Sequence, residues 1–204
     1  MNYLRKSGLG AMLLLAIMSV LGAGSAAATE LYKYTTPNPN DTLGLATELQ
    51  LTLKPGTRLF LEDTWGSPFI AVTCEETELA GKTETAGGET THPSGALSTT
   101  KFSSCTDSII IETKGKFELQ HIAGTTNATL IVNGLKFKYL ETFLGFTCQV
   151  IVNGALGTLK GATSSTGYAT IEVLANVERP VCGPMRIKAS FTVAKPTGLI
   201  FEAK

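Results

Sequence analysis

Apolar and polar residues alternate with a period of two along much of this chain. Leu49, Leu51 and Leu53 share one face of Glu48–Leu53, while Glu48, Gln50 and Thr52 share the other. Met185, Ile187, Ala189, Phe191 and Val193 alternate with Arg186, Lys188, Ser190 and Thr192, and Leu135, Phe137 and Tyr139 with Lys136 and Lys138. Successive side chains of a strand point to opposite faces, so the pattern predicts strands with one face in a core and one in water. Turn signals fall between the runs. Asn133-Gly134 separates Thr129–Val132 from Leu135–Leu140, Asn153-Gly154 follows Cys148–Val152, and Lys114-Gly115 separates Ile109–Glu112 from Lys116–Gln120. Asn-Gly supplies the positive φ of a tight turn, so Asn133-Gly134 predicts a β-hairpin. Roughly ten short strands joined by Gly- and Thr-rich turns predict an antiparallel all-β domain over residues 48–204, a β-sandwich. A β-barrel, or two stacked β subdomains at 48–120 and 127–203, are the alternatives.

One apolar run breaks the alternation. Leu9–Ala23 follows Arg5-Lys6 and precedes the small residues Ser25-Ala26-Ala27-Ala28. A cationic start, a short apolar stretch and an A-x-A site form a secretory signal peptide. The run falls short of the ~20 residues that span a bilayer as a helix, which predicts cleavage near Ala28 rather than anchoring. Residues 1–28 are therefore expected to be removed, leaving no integral membrane segment, and the protein is expected to be secreted or to lie in the cell envelope. Residues 29–47, including the Pro-rich Thr35–Thr42, are expected to form an extended lead-in.

The whole chain carries 17 basic and 17 acidic residues. Arg5 and Lys6 leave with the leader, so the mature chain has 15 against 17 and a net charge near −2. No basic stripe exists to condense on phosphates, and nucleic acid is not an expected partner.

Four cysteines remain: Cys74, Cys105, Cys148 and Cys182. In an exported chain an even count predicts two disulfides, with three connectivities open. The spacings contain no C-x-x-C and match no zinc finger or ribbon. Phe69–Cys74 and Phe143–Cys148 are both six-residue segments that begin with Phe and end in Thr-Cys, and each is followed by a Gly-rich stretch and a second Cys. That likeness favours Cys74–Cys105 and Cys148–Cys182.

Candidate chemistry is sparse. The two histidines are His92, in the Gly/Thr/Ser-rich stretch Glu84–Thr100 read as a loop, and His121, at the end of a strand and expected to be half-buried and hydrogen-bonded. No G-x-S-x-G is present, and the three aspartates Asp41, Asp63 and Asp107 stand apart from any serine motif. Ser98-Thr99-Thr100-Lys101 fits S-x-x-K, but that chemistry needs a helical turn, which Thr99 and Thr100 disfavour. The acidic stretch Glu75, Glu76, Glu78, Glu84 and Glu89 lacks the Asp and Asn of a calcium loop and is read as a solvated face guarding a sheet edge. No cofactor or metal is expected. Trp65, in the turn-like Glu62–Pro68, is the candidate for stacking on a sugar ring. Recognition in a sandwich falls to loops at its ends, so Trp65 and His92 are the expected ligand contacts; if their loops form one surface, a groove beside Trp65 is expected as the most concave apolar patch.

These readings predict a non-enzymatic secreted or cell-envelope protein with a structural or surface-binding role, whose partner is a surface component or glycan. The alternatives are a secreted hydrolase of polysaccharide or cell wall, using carboxylates among Glu62, Asp63 and Glu75, and a carbohydrate-binding module. The chain also resembles a group of exported, disulfide-paired all-β proteins that occur as paralogues in soil actinobacteria. The resemblance lies in Cys74 followed by Gly81, in Lys101-Phe102-Ser103-Ser104-Cys105 and in Cys148. It continues in Ala169-Thr170-Ile171-Glu172-Val173, in Cys182, and in Pro196-Thr197-Gly198-Leu199-Ile200. It implies a secreted, disulfide-paired β fold and supplies no activity.

Overall fold

A computed structural model describes residues 30–33, 44–64, 69–87, 91–141, 145–162 and 168–202. They form twelve strands: β1 (Glu30–Lys33), β2 (Glu48–Leu53), β3 (Leu59–Asp63), β4 (Phe69–Lys82), β5 (Ser94–Cys105) and β6 (Ile109–Thr113). The second six are β7 (Lys116–His121), β8 (Ala128–Glu141), β9 (Phe146–Lys160), β10 (Thr170–Val177), β11 (Met185–Lys195) and β12 (Leu199–Glu202). The architecture is an all-β, antiparallel sandwich. Neighbours run β10-β9-β8-β7-β5-β4-β2-β11, and β11 returns to β10. The circuit does not make a barrel, because one side stays open. β5 meets β7 only over Ser94–Ala96, and beyond that point β5 and β6 go separate ways, β5 pairing with β4 and β6 with β8. Within the expected lead-in, Glu30–Lys33 pairs with Leu199–Glu202 as a two-stranded ribbon, while 34–43 lies outside the described residues. Among the described residues no helix is long and apolar enough to cross a membrane.

Two of the sheet's lanes are built from two pieces each. β2 and β3 lie end to end along β4, with Glu48–Thr52 opposite Lys82–Glu78 and Leu59–Asp63 opposite Cys74–Phe69. β6 and β7 lie end to end along β8 in the same way. In the first case the chain leaves the sheet over Lys54–Arg58, a turn closed by the Thr57 N–H donating to Lys54 O at 3.0 Å.

The turn signals serve a different purpose from the one expected. Asn133-Gly134 does not close a hairpin: β8 runs straight through it, and β9 runs through Asn153-Gly154. These dipeptides meet side by side, Asn133 opposite Asn153 with a register shift between Asn133 and Leu135. The Gly134 N–H donates to Asn153 Oδ1 at 2.8 Å. Gly115 completes the row, since a Cβ there would lie 2.7 Å from Asn133 O and 2.6 Å from Leu135 N. Gly115, Gly134 and Gly154 all have positive φ. A β-bulge uses the same left-handed backbone as a hairpin turn and bends its strand. The three positions form a transverse crease across three adjacent lanes.

Two further boundaries moved for one reason. The segment Phe69–Cys74 continues as a strand to Lys82, through the glutamates, and Ser94–Thr100 belongs to β5 rather than to a loop. Polar residues facing water do not interrupt a strand whose other face is buried, and β-branched threonine suits the pleat.

The buried side chains of both halves make one core, in which Leu61, Val72, Leu119, Leu159 and Ile171 are wholly enclosed. Each such side chain contributes roughly 1.5–3 kcal/mol relative to exposure. Phe102 of β5 and Phe137 of β8 meet with ring centroids 5.2 Å apart. Both disulfides have the sequential pairing, in different settings. Cys74 and Cys105 are register partners on β4 and β5 with Cα atoms 3.9 Å apart, whereas Cys148 on β9 reaches Cys182, beyond the end of β10, at 5.8 Å.

Candidate functional site

Of the two expected ligand contacts, His92 lies among the described residues. Trp65 is outside the described residues. The segment that holds it joins β3 to β4, closed by Asp63 opposite Phe69, and the Thr64 N–H donates to Pro184 O at 3.2 Å. His92 is half-buried in the connection from β4 to β5, where Thr85 Oγ1 donates to His92 O at 3.1 Å and lies 2.6 Å from Ser94 Oγ. The Asp63–Phe69 pair and the Thr85–Ser94 bridge lie toward opposite ends of β4, whose 14 residues extend about 40 Å at the usual strand rise.

The carboxylates considered for hydrolysis are each committed to an arginine. Arg186 donates to Glu62 Oε2 from Nε at 2.9 Å and from Nη2 at 2.7 Å. Arg179 Nη2 donates to Asp63 Oδ2 at 2.6 Å, and Arg58 Nη2 to Glu75 Oε1 at 2.8 Å. Glu62 and Asp63 are neighbours on β3 and so point to opposite faces, Asp63 into the core. Ser98 and Lys101 both lie on extended β5, without the helical turn their motif requires, and Ser98 Oγ donates to Ala80 O at 3.3 Å. His121 is half-buried at the end of β7, and its Nε2–H donates to Thr125 O at 2.6 Å.

Glu75, Glu76 and Glu78 of the acidic stretch lie inside the sheet rather than at its edge, because β4 has β2 and β3 on one side and β5 on the other, while Glu84 follows β4 and Glu89 is outside the described residues. Where β2 ends and β3 has not begun, the surface dips into a depression of about 240 Å³. Glu75, Glu76 and Glu78 line it with Thr52, Lys101 and Ser103. Ser103 Oγ donates to Glu76 Oε2 at 3.0 Å, and Gln50 Nε2 to Glu78 Oε1 at 2.7 Å. Neighbours orient these carboxylates, and the dip offers acceptors and one cation to a polar ligand. Among the described residues no group of three or more His, Cys, Asp or Glu side chains is placed to hold a metal ion.

Sequence reading missed the most enclosed charged group among the described residues. Arg179 follows β10 and is only 4% exposed. It donates to Tyr139 OH at 2.7 Å, Gly183 O at 2.9 Å and Pro184 O at 3.2 Å, besides Asp63. A buried charge is tolerated only when paired and hydrogen-bonded, and here both conditions hold. The node ties β3 and β8 to the segment that carries Cys182. The signal available, an Arg beside Pro180-Val181-Cys182, names no partner.

On the opposite side, Glu112 of β6 accepts from Gln149 Nε2 at 2.5 Å and pairs with Lys138 Nζ at 3.3 Å. The Gln149 amide and then the Lys138 ammonium favour its ionised form and hold its carboxyl below the usual range. No protein-family model, curated protein or solved structure matches this chain.

Proposed function

We propose that this chain is an exported, non-enzymatic protein of the cell envelope or extracellular space with a structural or surface-binding role. The observation that carries this reading is the commitment of Glu62, Asp63 and Glu75 to three different arginines. Glycoside cleavage needs two carboxylates facing each other across ~5–10 Å of cleft, and these three are drawn to separate partners. The secretory leader and two disulfides support an oxidising location outside the cytoplasm. Resemblance to exported actinobacterial proteins points the same way.

For the partner, the depression beside Glu76 and Glu78 favours a surface component rich in hydroxyl or amine groups, a glycan among them. Its oriented acceptors suit such donors. The test is to incubate the purified protein with isolated envelope and with soluble glycans, measuring retention and released fragments together. Retention weakened by Glu76→Gln with Glu78→Gln, with no fragments released, is the expected result. Release of fragments abolished by one point substitution overturns the reading in favour of a hydrolase.

A further inference from the structure

We propose that the open side of the sandwich pairs with a second copy of this chain, β5 of each copy lying against β6 of the other. Among the described residues no strand pairs with β5 beyond Ala96 on that side, or with β6 on the side away from β8. Both edges present unpaired main-chain groups, which an extended backbone satisfies. Between them, Phe102, Ile109 and Ile111 pack against the core while staying partly uncovered, and Ile110 is 54% exposed. At the closed end β5 is covered, where the Leu97 N–H donates to Gly115 O at 3.0 Å and Lys114 Nζ donates to Ser98 O.

Two isologous arrangements bring such edges together. A twofold axis normal to the layers sets β5 against β5 and β6 against β6. An axis parallel to the strands sets β5 against β6 twice, also antiparallel. Charge decides between them. Along its free stretch beyond Ala96, β5 carries one cation, Lys101, and β6 carries one anion, Glu112, both exposed. Like-edge pairing gathers like charges, whereas crossed pairing sets Lys101 opposite Glu112 in both ladders. Glu112 keeps its contacts to Lys138 and Gln149, and a carboxylate has about four acceptor sites, enough for one more donor.

The register that aligns these charges also satisfies the faces. With Lys101 opposite Glu112, Phe102 meets Ile111 on the core side, and Ser103 meets the exposed Ile110 on the water side.

The experiment measures the mass of the full disulfide-bonded protein in solution by sedimentation over a range of concentrations. The wild type is expected to be a dimer. Lys101→Glu and Glu112→Lys are each expected to weaken it by about tenfold or more, and the double exchange to restore it. A wild type that stays monomeric, or a dimer indifferent to both single changes, overturns the proposal. Should either variant fail to fold, cross-linking decides. Ser103→Cys with Ile110→Cys should give an intermolecular peptide joining 103 to 110, whereas 103 joined to 103 supports like-edge pairing and overturns the crossed one.

Discussion

Arg179 and Asp63 stand 116 positions apart in the chain and meet at 2.6 Å in its interior. Removing one partner leaves the other charge buried. Asp63→Ala is expected to destabilise the fold by about 3–5 kcal/mol, while Asp63→Leu combined with Arg179→Met should cost much less. Urea unfolding of the two variants measures this. Equal losses from the single and double changes would show that the charge itself is not what matters.

The disulfides close loops of 31 and 34 residues. Chain entropy alone assigns each about 3.5–4 kcal/mol. Replacing either pair with alanines should shift the denaturation midpoint by a similar amount, and replacing both should unfold the protein near physiological temperature, given a typical total of about 5–15 kcal/mol. Peptide mapping of unreduced protein should return Cys74 with Cys105 and Cys148 with Cys182.

Gly56 and Gly115 have the same φ of +78° in different surroundings. A Cβ at Gly56 meets nothing within 4 Å, so Gly56→Ala should cost only the left-handed penalty of about 1–2 kcal/mol. At Gly115 the same atom meets backbone at 2.6 and 2.7 Å, and Gly115→Ala should cost clearly more. Paired unfolding curves give the comparison directly.

Glu112 supplies a pH-dependent prediction. Its carboxyl is lowered in the folded state, first by Gln149 and then by Lys138. A lowered folded value favours the folded state above the ordinary carboxylate range, and that preference fades as pH falls through the lowered value. In a ¹³C-detected titration Glu112 should ionise at lower pH than the exposed glutamates, and Gln149→Ala should return it toward them. No displacement in the Gln149 variant would contradict the assigned cause.

Strand content was legible wherever alternation was strong. Glu48–Leu53 appears with its expected ends, and Met185–Val193 extends only to Lys195. Asn133-Gly134 misled because local chemistry fixes a positive φ and nothing more. Whether that φ reverses a strand or bends it depends on the lanes alongside, here Gly115 and Asn153. Cysteine pairing was readable from the likeness of two Thr-Cys segments, although the bridges themselves sit in unlike settings. The Arg179 node was not readable: each of its partners lies on a different element, and a guanidinium's burial is set by the assembled core. The length of β4 was not readable either: the segment Phe69–Cys74 runs on to Lys82, because its polar residues face water while the other face stays buried.

The detour at Lys54–Arg58 has a practical side. Strand β2 hands over to β3 along the same lane, so the sheet keeps its register on either side of a segment that stands outside it. Doubling a loop's length costs only about 0.6 kcal/mol of closure entropy. Gly56 opens onto empty space. A label, an affinity tag or a tether to a solid support inserted at Gly56 would therefore ride on the outside of the protein without asking any strand to move.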